Sequence, residues 1–139
     1  PDAQGRYYLT PAMASEVDSF WRVMQDMSVE AKQKIRVGGK SYDRGLGVHA
    51  PSKLVFPLEE KYKTFHVVPG TEKGGLVEMK ILVDDKEVFT TGKIPSPSYQ
   101  TKALNIPLTG AKKMTLIVTD GGNGGGGDHA SWADAHLIK

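Results

Sequence analysis

The sequence predicts an all-β fold, a sandwich or a barrel. Three observations point there. Apolar and polar residues alternate over many short runs. Glycine, proline and paired aspartates punctuate those runs at close spacing. No stretch carries the long 3.6-residue periodicity of an amphipathic helix. The pattern amounts to about nine or ten short strands.

Taken in order, residues 1–6 read as a flexible lead-in, and Arg6 to Thr10 is a β-prone run stopped by Pro11. Pro11 to Asp18 reads as a loop. Phe20 to Asp26 (FWRVMQD) suits a strand or a helical turn. Ser28 to Lys34, with Ser28 as a candidate N-cap, suits a single helical turn. Ile35 to Val37 is a short strand closed by Gly38-Gly39. In Tyr42 to His49, Gly45 and Gly47 point to a bulge or a close backbone approach. Ser52 to Leu58 puts Leu54, Phe56 and Leu58 on one face, and Thr64 to Val68 does the same with Phe65 and Val67. Leu76 to Val83 is the clearest strand, with Val77, Met79, Ile81 and Val83 pointing one way. Asp84-Asp85 turns it into Lys86 to Thr90. Gly92 to Gln100, with Pro95 and Pro97, reads as loop. Ala103 to Leu108 and Lys113 to Thr119 form the next pair, and Trp132 to Ile138 closes the chain.

The 139 residues suit one domain spanning 1–139, with neither an internal repeat nor an interdomain linker. Charged residues are 24% and hydrophobic residues 39%, as in an ordinary globular chain. A net charge of +2, with scattered lysines, argues against a nucleic-acid partner. No apolar run reaches the roughly 18 residues of a membrane span. Cysteine is absent. That suits the cytosol, and equally a secreted or periplasmic domain with an adequate core. Pro1, preceded by no initiator Met or apolar signal stretch, reads as the start of a processed protein or an excised domain.

The most unusual stretch runs from Thr119 to Ile138. Six glycines occupy seven positions, Gly121 to Gly127, between Asp120 and Asp128-His129. Such a run cannot form a strand or helix interior. Asp120, Asp128, His129 and Trp132 around it make a candidate site, and a long hairpin loop is the plain alternative. It is not a phosphate loop, because no Lys-Ser or Lys-Thr and no helix follow. The chain has no G-x-S-x-G elbow and no zinc spacing. An acid pair for glycoside hydrolysis has no specificity when picked from 16 acids.

Several separated motifs resemble the NPCBM family of carbohydrate-binding modules. They are the Y-x-x-G-[IL]-G-x-H-A stretch at Tyr42 to Ala50, Phe65 to Glu72, Gly110 to Asp120, and D-H-A-x-W-A-D-A-x-L at Asp128 to Leu137. Their order and spacing fit from about Tyr7 onward. Pro11 stands where the resemblance implies an acid in the first loop, and Glu72 where the family more often has Asp. The resemblance implies a jelly-roll β-sandwich of the galactose-binding type. It also implies a non-catalytic, monomeric module within a larger glycan-active bacterial protein, recognising galactose-containing glycans. That protein would be secreted, periplasmic or at the cell surface.

Sugar recognition needs an aromatic face for C–H groups and planar polar groups for hydroxyls. The candidate carbohydrate-binding residues are His49, Glu72, Asp128, His129 and Trp132, with Trp21 as a second platform. Trp132 also reads as a core anchor, and His49 as a buried histidine bonded to a nearby loop. Arg44 and Glu72 are ordinary surface charges unless the fold brings them beside His49. Asp134 alternates with Trp132 and would share its face. Buried there, it needs an arginine, backbone amides or a metal ion, of which calcium is the one to name. Two rivals remain: a structural or protein-interaction sandwich, and a small hydrolase lacking a placed nucleophile.

Overall fold

The computed structural model describes residues 1–29, 33–71, 77–94, 102–120 and 129–139. Among them are thirteen strands: β1 (Arg6–Tyr8), β2 (Glu16–Ser19), β3 (Met24–Gln25), β4 (Ile35–Val37), β5 (Lys40–Tyr42), β6 (Gly45–His49), β7 (Ser52–Pro57), β8 (Thr64–Gly70), β9 (Val77–Val83), β10 (Lys86–Ile94), β11 (Leu104–Pro107), β12 (Lys113–Thr119) and β13 (His129–Ile138). They build a jelly-roll sandwich. One sheet has the order β11-β8-β13-β6-β3, and β1 also pairs with β13. The other has the order β10-β9-β12-β7-β2. Every pairing in both sheets is antiparallel.

The alternating faces meet between the sheets. Leu54, Phe56 and Leu58 from β7 and its end are buried, as are Met79 and Ile81 from β9 and Met114, Leu116 and Val118 from β12. Opposite them lie Leu46 and Val48 from β6, Phe65 and Val67 from β8, and Trp132 and Leu137 from β13. Each large apolar side chain removed from water contributes roughly 1.5–3 kcal/mol.

A smaller cluster of Ile35, Val37, Val68 and Ala133 sits on the back of the first sheet, under the β4-β5 hairpin. Gly45 and Gly47 admit this layer. A Cβ on Gly45 would stand 2.5 Å from the Trp132 carbonyl oxygen and 2.9 Å from Ile35 Cδ1. A Cβ on Gly47 would collide with the Met27 carbonyl oxygen and lie 2.7 Å from the Val29 nitrogen. The close approach expected at these glycines is therefore backbone against backbone.

Several elements differ from expectation. Glu16–Ser19, expected as loop, is edge strand β2 against β7. β10 runs on to Ile94 where loop was expected from Gly92. The register shifts between Thr90 and Lys93, and the Thr91 hydroxyl accepts the Met79 N–H at 3.0 Å, which bridges the irregularity. β13 begins at His129 rather than Trp132. The Ser28 hydroxyl has no hydrogen-bond partner among the described residues. The rest of the turn expected at Ser28 to Lys34 lies partly outside them. Ahead of β1, the Asp2 carboxylate accepts N–H bonds from Gln4 and Arg6, which ties the lead-in to the first strand.

Candidate functional site

His49 ends β6 and His129 opens β13, and the two are direct cross-strand partners. Both side chains stand on the outer face of the sheet, because their neighbours Val48 and Ala130 point into the core. Their rings are 5.0 Å apart between centroids. Trp21, in the bend between β2 and β3, leans over both, at 4.3 Å from His49 and 5.2 Å from His129. Phe20 flanks His49 at 5.1 Å. The histidines are buried, at 3% and 9% exposure, whereas Trp21 is 40% exposed. His49 Nδ1 is 2.6 Å from the Ala50 carbonyl oxygen. Nδ1 therefore carries the proton it donates, and in the neutral ring Nε2 is an acceptor. The segment holding Trp21 is fixed at its start by the Phe20 N–H donating to the Pro51 carbonyl at 2.9 Å.

This arrangement is an exposed indole backed by two imidazoles. The indole offers a flat apolar face to C–H groups, and ring nitrogens nearby can exchange hydrogen bonds with hydroxyls. Of the residues expected here, the structure brings His49 and His129 together. Glu72 and Asp128 lie outside the described residues. Trp132 is corrected as a platform: it is fully buried, at 0% exposure, and anchors the core. Trp21 is the exposed indole at the histidine pair. Phe20 was missed as a neighbour. No sequence pattern marks it, because Phe20 and Trp21 lie in a bend and both stand exposed beside His49.

Asp134 does not share a face with Trp132. The register of β13 shifts between Ala133 and His136, and Asp134 adopts φ 54°. This bulge reverses the alternation, so Trp132 and Ala135 face the core while Asp134 faces out. There the Tyr8 hydroxyl donates to Asp134 Oδ1 at 3.0 Å, and His66 Nε2 lies 3.3 Å from Oδ2. His136 Nδ1 donates to the Asp134 carbonyl at 2.7 Å. Burial pushes the His136 imidazole below its ordinary value, against the pull of the Asp134 carbonyl and carboxylate. Burial, and then the bond to Asp134, pushes the Tyr8 phenol up.

Arg44 lies over the Tyr8 ring at 4.2 Å and pairs with Asp26 at 3.2 Å. It therefore stands at the opposite end of β6 from His49, about 16 Å away. Calcium takes six to eight oxygens. The side chains nearest the Asp134 carboxylate are one phenol, of Tyr8, and two imidazoles, of His66 and His136, a set short of oxygens. The described surroundings of Asp134 do not fit that ion.

The sequence profile of the NPCBM/NEW2 domain matches residues 7–138, and the chain belongs to that family. It is a galactose-binding-like β-sandwich and a non-catalytic carbohydrate-binding module of a larger protein. The CBM51 module of a Clostridium perfringens GH95 protein, solved in complex with methyl-galactose, superposes with a TM-score of 0.86 at 27% identity, over 96% of this chain and 99% of that one. A CBM51-containing structure of Clostridium perfringens ZmpB, which includes its M60 catalytic domain, gives 0.87 at 29% identity, over 96% of this chain and 15% of that one. An Akkermansia muciniphila protein named alpha-1,3-galactosidase B is 26% identical over 108 residues, which are 72% of this chain and 13% of that protein. The chain spans only 7% and 13% of the length of the two curated relatives it matches.

Proposed function

We propose that this module binds galactose-type sugars at the Trp21–His49–His129 cluster and delivers a larger glycan-active protein to galactosylated glycans outside the cytoplasm. The observation that carries the proposal is Trp21, held exposed across two buried imidazoles. The axial 4-hydroxyl of galactose leaves a continuous C–H patch on one face of the ring, which suits an indole. That axial hydroxyl stands on the opposite face, clear of the indole, and the equatorial hydroxyls project from the ring edge, where an imidazole nitrogen can reach them. Support also comes from the methyl-galactose complex of the C. perfringens module and from the name of the A. muciniphila relative.

The test is tryptophan fluorescence titrated with methyl galactoside and methyl glucoside up to about millimolar concentration, which reads binding as weak as about −4 kcal/mol. The chain has two tryptophans, and the buried Trp132 is shielded from ligand. A saturable response to the galactoside, weaker with the glucoside and lost in Trp21→Ala, is expected. A folded protein that responds to neither sugar would leave the protein-interaction sandwich as the better reading.

A further inference from the structure

The exposed aromatic surface continues past Trp21. Phe20 is 65% exposed, the highest value among the exposed large hydrophobic side chains. It borders two depressions. On one side it shares a groove of about 640 Å³ with Trp21 and Val17. On the other it walls a groove of about 450 Å³ with Asp18, Ser52, Lys53 and Thr119. We propose that this second groove is a further sugar position and that the module takes an oligosaccharide of at least two units, the second lying on Phe20. The inference rests on the sugar site proposed above.

Three features carry it. Phe20 and Trp21 are consecutive and both pack on His49, so a sugar on Trp21 has its neighbour beside Phe20. Phe20 is not loosely held, because its N–H donates to the Pro51 carbonyl. The groove beside it is polar in the way sugars require. Asp18 and Lys53 are cross-strand partners on β2 and β7, both exposed, and supply an acceptor and a donor for hydroxyls. A single ring on Trp21 uses none of these groups.

Calorimetry on the folded module tests the idea with methyl galactoside and a panel of α- and β-linked galactosyl disaccharides. At least one disaccharide is expected to bind about tenfold tighter than methyl galactoside. Phe20→Ala should remove most of that gain. Lys53→Ala, on the far wall of the groove, should lower disaccharide affinity while methyl galactoside affinity holds within about twofold. Phe20→Leu keeps apolar bulk and controls for folding, and should retain part of the gain. Equal affinity for methyl galactoside and every disaccharide would overturn the second position while leaving the first intact. So would equal losses for both ligand classes in Lys53→Ala. Absence of binding by any ligand would remove both positions together.

Discussion

At the scale of the residue, the two tryptophans divide two tasks that their chemistry alone does not separate. Trp132 has no exposed surface, and its indole N–H has no partner among the described residues, so it serves packing. Trp21 is 40% exposed and is the one free to serve contact in the function proposed above. Trp132→Ala should cost about 3–5 kcal/mol of stability, as large aromatic truncations in cores do. Trp21→Ala should change stability by less than about 1 kcal/mol and abolish the sugar response. Urea unfolding beside a galactoside titration reads both, and a large stability loss at Trp21 would contradict the division. Gly47 shows the same logic in the backbone. A methyl there meets the chain at Met27 to Val29, which is main chain and not a yielding side-chain tip. Gly47→Ala should therefore destabilise by at least about 2 kcal/mol, and a melting temperature within a degree or two of wild type would show that this segment gives way easily.

At the scale of the element, the bulge in β13 decides which residues reach which surface. It turns Asp134 outward at φ 54° and returns Ala135 and Leu137 to the core. Aspartate tolerates a left-handed backbone, and a β-branched residue does not. Asp134→Val loses the Tyr8 hydrogen bond and the His66 contact and adds backbone strain, for a loss of roughly 2–4 kcal/mol. Asp134→Gly loses the same contacts but relieves the strain, and should cost about half as much. Denaturant unfolding of the pair gives that order if the bulge is the constraint, and equal losses if it is not. The same bulge marks where the sequence stops being legible. Strict alternation made the core faces of β7, β9 and β12 readable, because each strand has one wet side. Alternation carried one residue too far placed Asp134 beside Trp132. β2 escaped notice because Glu16, Asp18 and Ser19 are polar and only Val17 hints at a strand. The pairing of His49 with His129 needed the register of β6 on β13, residues 80 apart in sequence, and no local pattern encodes that. The family motifs pointed at both histidines without saying that they touch each other or that Trp21 covers them.

At the scale of the whole molecule, a row of polar side chains around Asp134 lies apart from the Trp21–His49–His129 cluster. A row of side chains, Tyr8, His136, His66 and Asn105, crosses β1, β13, β8 and β11 as successive cross-strand partners. Asp134 spans it from Tyr8 to His66. His136 sits in the middle, its ring 5.0 Å from Tyr8 and 4.9 Å from His66. Because the folded state holds the His136 value below the ordinary 6.5, the unfolded chain binds the extra proton first as pH falls. Stability contributed by neutral His136 is present above that value and is lost progressively below it. Tyr8 acts at the other end of the scale. Its folded value lies above the ordinary 10.0, so the unfolded chain releases the proton first and stability falls as pH rises past that point. The melting temperature should therefore be highest between about pH 7 and pH 9 and decline on both sides. His136→Phe keeps a ring between Tyr8 and His66 but has nothing to titrate. It should flatten the decline between about pH 7 and pH 5 while lowering the plateau, since the bond to the Asp134 carbonyl is gone. A parallel acid limb in the variant would assign the acid sensitivity to other groups. The galactoside titration of the same variant should match wild type at about pH 7, because His136 belongs to the row at Asp134 and not to the cluster at Trp21.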